Sequence, residues 1–180
     1  MKIISSIFLF LTVSFVHAQR LPDENFLKGV AYFEQENYDS AIHFLSASEE
    51  EMNSSEVYYF RGLSYFKKGQ LNNALDDFLQ VEEYDGGKAA FLISRIYARQ
   101  NDLKNTLNYL EQNLKSRYKK PESEIMLNED LARFENNKEW IQFWRENKYY
   151  TPYDRTIAEA KYMSKRGDHL DAINILSEAL

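Results

Sequence analysis

Cysteine is missing from all 180 residues. Its absence excludes disulfides, thiolate metal sites, a cysteine nucleophile and the lipidated N-terminus of a lipoprotein. Proline and glycine are scarce, at three and six residues, which leaves little room for long irregular stretches. Positive charge is not in excess: 22 Lys and Arg stand against 28 Asp and Glu, a net charge of −6. No overall field therefore draws the chain to nucleic acid or to an anionic membrane surface. What is present is apolar and aromatic. Hydrophobic residues make up 44% of the chain, and 13 Tyr, 12 Phe and 2 Trp make it 15% aromatic. That composition predicts a packed, mostly helical chain with aromatic contacts between helices.

The one long apolar run lies at the N-terminus. Residues 1–18 read MKIISSIFLFLTVSFVHA, with Lys2 ahead of an apolar stretch from Ile3 to Val16 and the small residue Ala18 at its end. This is the pattern of a secretory signal peptide cleaved near Ala18. A membrane anchor needs roughly 20 apolar residues; this run is shorter and broken by Ser5, Ser6, Thr12 and Ser14. Cleavage before Gln19 removes Lys2 and no acid, taking the net charge from −6 to −7. With no second apolar run, the mature segment is expected to be exported without inserting in a membrane, into the periplasm or outside the cell.

The rest of the chain repeats itself. A shift of 33 residues places Gly29 on Gly62, Tyr32 on Tyr65, Phe33 on Phe66 and Ala41 on Ala74. A further shift of 32 carries Tyr65 to Tyr97, Leu71 to Leu103, Asn73 to Asn105 and Leu75 to Leu107. Gly167, Ala172 and Leu176 lie 98 residues beyond Gly69, Ala74 and Phe78. Within each unit, apolar positions at helical spacing cover more than one face, so the helices are packed on both sides. A short polar turn follows (Glu34 to Asn37, Lys67 to Gln70, Arg99 to Asp102, Lys165 to Asp168), then a second helix with a small residue at a close crossing. Such a hairpin cannot bury its faces alone and must stack on neighbours.

Gly29, Tyr32, Ala41 and Leu45, and likewise Gly62, Tyr65, Ala74 and Phe78, resemble the pattern of the tetratricopeptide repeat family. Ser94, Tyr97, Thr106 and Leu110, and Ala160, Met163, Ala172 and Leu176, follow it more loosely. The usual early Trp is absent, with Tyr58 in its place in unit two, and the closing Pro is missing. The resemblance implies an all-α helix-turn-helix solenoid of about four regular repeats plus one degenerate repeat. Residues 1–18 are then a signal peptide, 19–118 repeats one to three, 119–151 a degenerate repeat or insert, and 152–180 a further repeat. In the degenerate segment Pro121 opens a helix, and Ile125, Met126, Leu127, Leu131 and Phe134 form a short, imperfect first helix that Asn136-Asn137 breaks. Residues 129–134 resemble a short segment seen between repeats in bacterial members of the family. Lys138 to Asn147 follows as a second helix with Trp140, Ile141, Phe143 and Trp144 on one face, read as core filler rather than a ligand-stacking site.

Catalytic patterns are absent. His43 and His169 each lack a second ligand at metal spacing, and no phosphate-cradling glycine loop, nucleophile elbow or zinc helix occurs. Glu49-Glu50-Glu51 and Glu82-Glu83 are read as solvated helix ends. The expectation is a non-enzymatic chain without cofactor or metal.

In arrays of this family the first helices line a concave groove that holds a peptide or another protein. Carried over, the groove positions are Phe26, Val30 and Phe33, then Tyr59, Leu63 and Phe66, then Phe91, Arg95 and Arg99, aromatic at one end and basic at the other. A clamp for a partner's C-terminal carboxylate needs Lys and Asn where Phe26 and Val30 stand, and is not expected. The chain ends inside a second helix at Leu180, with Ile173, Leu176 and Leu180 uncapped. Either a longer protein continues beyond it or that end meets a partner or a second copy. The functional expectation is an exported scaffold for protein or peptide interaction in a bacterial envelope assembly. The alternative is the extracytoplasmic sensor portion of a signalling protein whose membrane span and output domain follow residue 180. An auxiliary subunit of an envelope enzyme is the third reading.

Overall fold

The computed structural model describes residues 23–51, 53–146 and 149–178; the expected signal peptide lies outside them. The described residues form ten α-helices and one 3-10 turn, with no strand. They run α1 Glu24–Glu34, α2 Tyr38–Glu51, α3 Ser55–Lys67, α4 Leu71–Tyr84, α5 Ala90–Arg99, α6 Leu103–Lys115, α7 Glu122–Met126, a 3-10 turn Ala132–Phe134, α8 Lys138–Glu146, α9 Pro152–Arg166 and α10 His169–Glu178. No helix among them is long and apolar enough to cross a membrane.

Helices pair as α1/α2, α3/α4, α5/α6 and α9/α10, and the predicted register is visible in the contacts. In the first two units the small position of the first helix faces the bulky position of the second. A methyl group added at Gly29 would lie 2.5 Å from Leu45 Cγ, and one at Gly62 would lie 2.8 Å from Phe78 Cε1. Leu45, Phe78 and Leu110 are completely buried, as are Ala41, Ala74 and Thr106 at the small position of the second helices. In the last hairpin Ala160 of the first helix and Ala172 of the second are also buried, while Leu176 is half-buried.

The four turns inside the hairpins share one backbone design. Residues Glu36, Gly69, Asn101 and Gly167 all adopt positive φ, at 59°, 75°, 60° and 93°. The following N–H then reaches back to the carbonyl five residues earlier: Asn37 to Tyr32, Gln70 to Tyr65, Asp102 to Tyr97 and Asp168 to Met163, at 2.9–3.0 Å. This left-handed helix end satisfies carbonyls that the helix leaves open and reverses the chain in two or three residues. Glycine takes it without penalty at two of the four sites and Asn101 at little cost, whereas Glu36 takes it against the preference of an ordinary side chain.

The core is strung along the chain as three clusters. Ala41, Leu45 and Val57 join the first two units; Tyr58, Phe66, Phe78, Ile93 and Ile96 join the second and third. Phe91, Leu110 and Leu114 are joined by Ile125, Leu131, Phe134, Trp140 and Tyr150. The irregular segment is thus part of the stack, not an appendage. Its first helix is shorter than the sequence pattern predicts, ending at Met126. The Asn128 side chain accepts from the Asp130 N–H at 3.1 Å and turns the chain, so Leu131 and Phe134 reach the core from a loop and a 3-10 turn. Asn137 accepts from the Glu139 N–H at 2.8 Å, starting α8.

Candidate functional site

The first helices of neighbouring units meet through aromatic and cationic side chains. Phe26 and Phe33 on α1 both set an edge against Phe60 on α3, with centroids 6.1 and 5.7 Å apart. Tyr59 is half-buried, beside Phe78 at 6.3 Å and under Lys88 at 5.5 Å. Val30 and Leu63 are also half-buried. Five of the predicted groove residues, Phe26, Val30, Phe33, Tyr59 and Leu63, therefore keep part of their surface open on α1 and α3. Phe60, which the pattern did not select, ties the two helices together.

The third unit departs from a free basic end. Phe66 and Phe91 are 5% and 3% exposed, so neither ring is available as it stands. The Arg95 and Arg99 guanidiniums lie over the Phe66 ring at 4.8 and 4.3 Å. Both are held by one carboxylate: Arg95 Nε donates to Asp130 Oδ2 at 2.9 Å and Arg99 Nε to Asp130 Oδ1 at 2.7 Å. Arg133 adds a bond from Nη1 to the Arg99 carbonyl at 3.1 Å. Burial alone would raise the Asp130 carboxyl, but the two arginines outweigh it and hold it below its ordinary value. Residues 129–134 act as a strap across α5, and both guanidiniums of the cationic patch expected there are tied to one carboxylate, which offsets one of their two charges.

Two acidic stretches read as solvated carry structural bonds. The Glu82 carboxylate accepts from the backbone N–H groups of Gly87 and Ala89, both at 2.6 Å, and so caps the approach to α5. Glu49 shares Arg61 with Asp77. Arg61 Nε and Nη2 donate to Asp77 Oδ2 and Oδ1 at 2.9 and 2.6 Å, while Nη1 donates to Glu49. The Arg61 side chain is 12% exposed and that of Asp77 7%, so the network pins α2, α3 and α4 together with little solvent screening. The Arg61 hydrogen bond lowers the Glu49 carboxyl.

His43 and His169 are exposed. His43 sets its ring against Phe44 at 5.1 Å, and His169 Nδ1 lies 3.3 Å from Ser164 Oγ. Trp140 is buried and packs on Phe134 and Trp144, as the core-filler reading expects. Trp144 and Glu122 are less well provided for. The indole Nε1 and the Glu122 Oε2 are shut off from solvent without a hydrogen-bond partner, an arrangement that costs about 1–3 kcal/mol per group. Burial pushes the Glu122 carboxyl above its ordinary value. Among the described residues no cluster of His, Asp and Glu is placed to hold a metal.

Residues 9–81 match the family model of the anaphase-promoting complex, cyclosome, subunit 3, a stretch that takes in α1, α2, α3 and most of α4. No curated protein matches the chain. With that match, the pairing of helices into four hairpins and the buried register across the first three, the chain is a helical repeat protein of the tetratricopeptide type, an all-α architecture of the kind that serves as a protein-interaction scaffold.

Proposed function

We propose that this chain is an exported, non-enzymatic scaffold that holds another protein or peptide along the first helices of its repeats, in the periplasm or outside a bacterial cell. Export rests on the N-terminal sequence, MKIISSIFLFLTVSFVHA. Peptide capture rests on the row of half-open side chains from Phe26 to Leu63, and that row is the observation that carries the reading. These residues combine aromatic and branched apolar surface with rigid placement, which is what binding hot spots require. With Arg95 and Arg99 tied to Asp130, the anchor positions shift toward units one and two.

The test is capture of the partner from the native host by the tagged full-length protein, followed by titration calorimetry. Tyr59→Ala removes one anchor, and because Tyr59 also packs on Phe78 circular dichroism and a melt serve as the folding control. Loss of such an anchor costs about 2 kcal/mol, or roughly 30-fold in affinity at 1.4 kcal/mol per decade. Intact mass of the exported protein is expected to show loss of residues 1–18. Unchanged affinity for Tyr59→Ala, with circular dichroism matching the parent, refutes the groove; a mature form that retains Lys2 refutes cleavage.

A further inference from the structure

A cavity of about 450 Å³ opens between α7, the 3-10 turn, α8 and α9. It shares no residue with the groove of α1, α3 and α5. Its volume falls within the roughly 300–1,000 Å³ of ordinary ligand pockets. The wall is apolar and includes Ile125, Leu131, Trp140 and Trp144, so both tryptophans of the chain face one space. Three further members of the lining, Met126, Ile141 and Tyr162, are 40%, 42% and 38% exposed. They are large apolar side chains left open beside an apolar hollow, a combination that marks a contact surface more often than plain solvent exposure.

The charges around the opening are unbalanced. Glu122, Glu135 and Glu159 line it against the single cation Arg155, so an incoming cation is favoured and an anion disfavoured. The wall also holds an unpartnered acceptor, Glu122 Oε2, and an unpartnered donor, Trp144 Nε1. A peptide segment carries a donor and an acceptor in every backbone unit, which a lone organic cation does not.

We propose that this cavity is a second peptide-binding site, one that takes a large apolar side chain from a partner segment in which Lys or Arg stands beside it. The apolar side chain fills the space over Trp140 and Trp144, and the flanking cation meets Glu135 and Glu159. The site does not depend on the groove reading.

The two tryptophans make it directly observable, because all indole emission of the chain arises at this wall. The full-length protein is titrated with three seven-residue peptides: a central Phe flanked by lysines, the same Phe flanked by glutamates, and lysines flanking Gly. The expected result is a saturable change in emission with the Lys–Phe peptide, about tenfold or more tighter than with the Glu–Phe peptide and weakened by salt. The Gly peptide is expected to leave emission unchanged. Glu135 and Glu159 are exposed, so Glu135→Lys with Glu159→Lys leaves the fold intact and is expected to reverse the preference between the two Phe peptides. No saturable change up to about 1 mM, equal affinity for the two Phe peptides, or an equal response to the Gly peptide overturns the proposal. Tyr59→Ala is expected to leave this emission response unaltered, so failure here and failure of the groove are read separately.

Discussion

Replacing Gly62 by Ala sets two effects of similar size against each other. In a helix interior Ala is more favourable than Gly by about 0.8–1.0 kcal/mol, so an unconstrained site would gain stability. At Gly62 the new methyl would sit 2.8 and 2.9 Å from Phe78 Cε1 and Cδ1 and 3.2 Å from Asp77 Cβ. Phe78 is completely buried, and the adjoining Asp77 is held by Arg61 through two bonds, so neither can step aside cheaply. Overpacking of this kind costs about 1–3 kcal/mol. The clash outweighs the propensity, and a net loss of about 1 kcal/mol is expected, or roughly 2–4 °C in Tm for a chain of this size. The assay is thermal and urea unfolding of Gly62→Ala, of Phe78→Leu and of the double variant. Trimming the ring makes room for the methyl, so the double variant is expected to lose less than the sum of the singles by about 1 kcal/mol. A Gly62→Ala protein more stable than the parent, or strict additivity in the cycle, refutes the close crossing between α3 and α4.

The other perturbations test the turns and the strap. Glu36 is a non-glycine residue at φ 59°, and Glu36→Gly is expected to raise stability by about 1 kcal/mol; an unchanged or lower Tm refutes the left-handed turn. Asp130, with its side chain 13% exposed between two arginines, contributes about 1.5–3 kcal/mol through charged hydrogen bonds. Its carboxyl is held below the ordinary value, so its contribution is present above that ordinary value, about 3.9, and is lost as pH falls through the lowered one. Melts from neutral to acid pH are therefore expected to show Asp130→Asn less stable than the parent at pH 7 and the gap closing in acid; a gap independent of pH contradicts the tie.

What could be read in the sequence was whatever repeats. Gly29 and Gly62 mark the crossings because a larger residue meets Leu45 or Phe78 there, and the polar turns appear at the residues that turn the chain. The strap, the shared arginine and the Glu82 cap occur once each, so no periodicity announces them. Asp130 lies 35 and 31 residues from Arg95 and Arg99, in the one segment out of register. Arg61 has Lys28 and Ile93 at the equivalent places, neither able to make its fork to a carboxylate. Gly86-Gly87 did carry a usable sign: a glycine turn ahead of a helix presents bare N–H groups that need an acceptor, and Glu82 supplies it. The short α7 was hidden because Ile125, Leu131 and Phe134 satisfy a helical spacing loosely while Asn128 turns the chain between them.

The central claim, that the first helices of the repeats carry the partner, is tested most directly by hydroxyl-radical footprinting of the purified complex against the free protein. The two faces of one helix give an internal control. Phe33, Tyr59 and Leu63 belong to the proposed surface, whereas Tyr32 and Tyr97 stack on Phe44 and Tyr109 of the second helices. The account predicts protection at Phe33, Tyr59 and Leu63 with the stacked pairs unchanged. Protection of Tyr32, Phe44, Tyr97 and Tyr109, with Phe33 and Tyr59 as reactive as in the free protein, contradicts it.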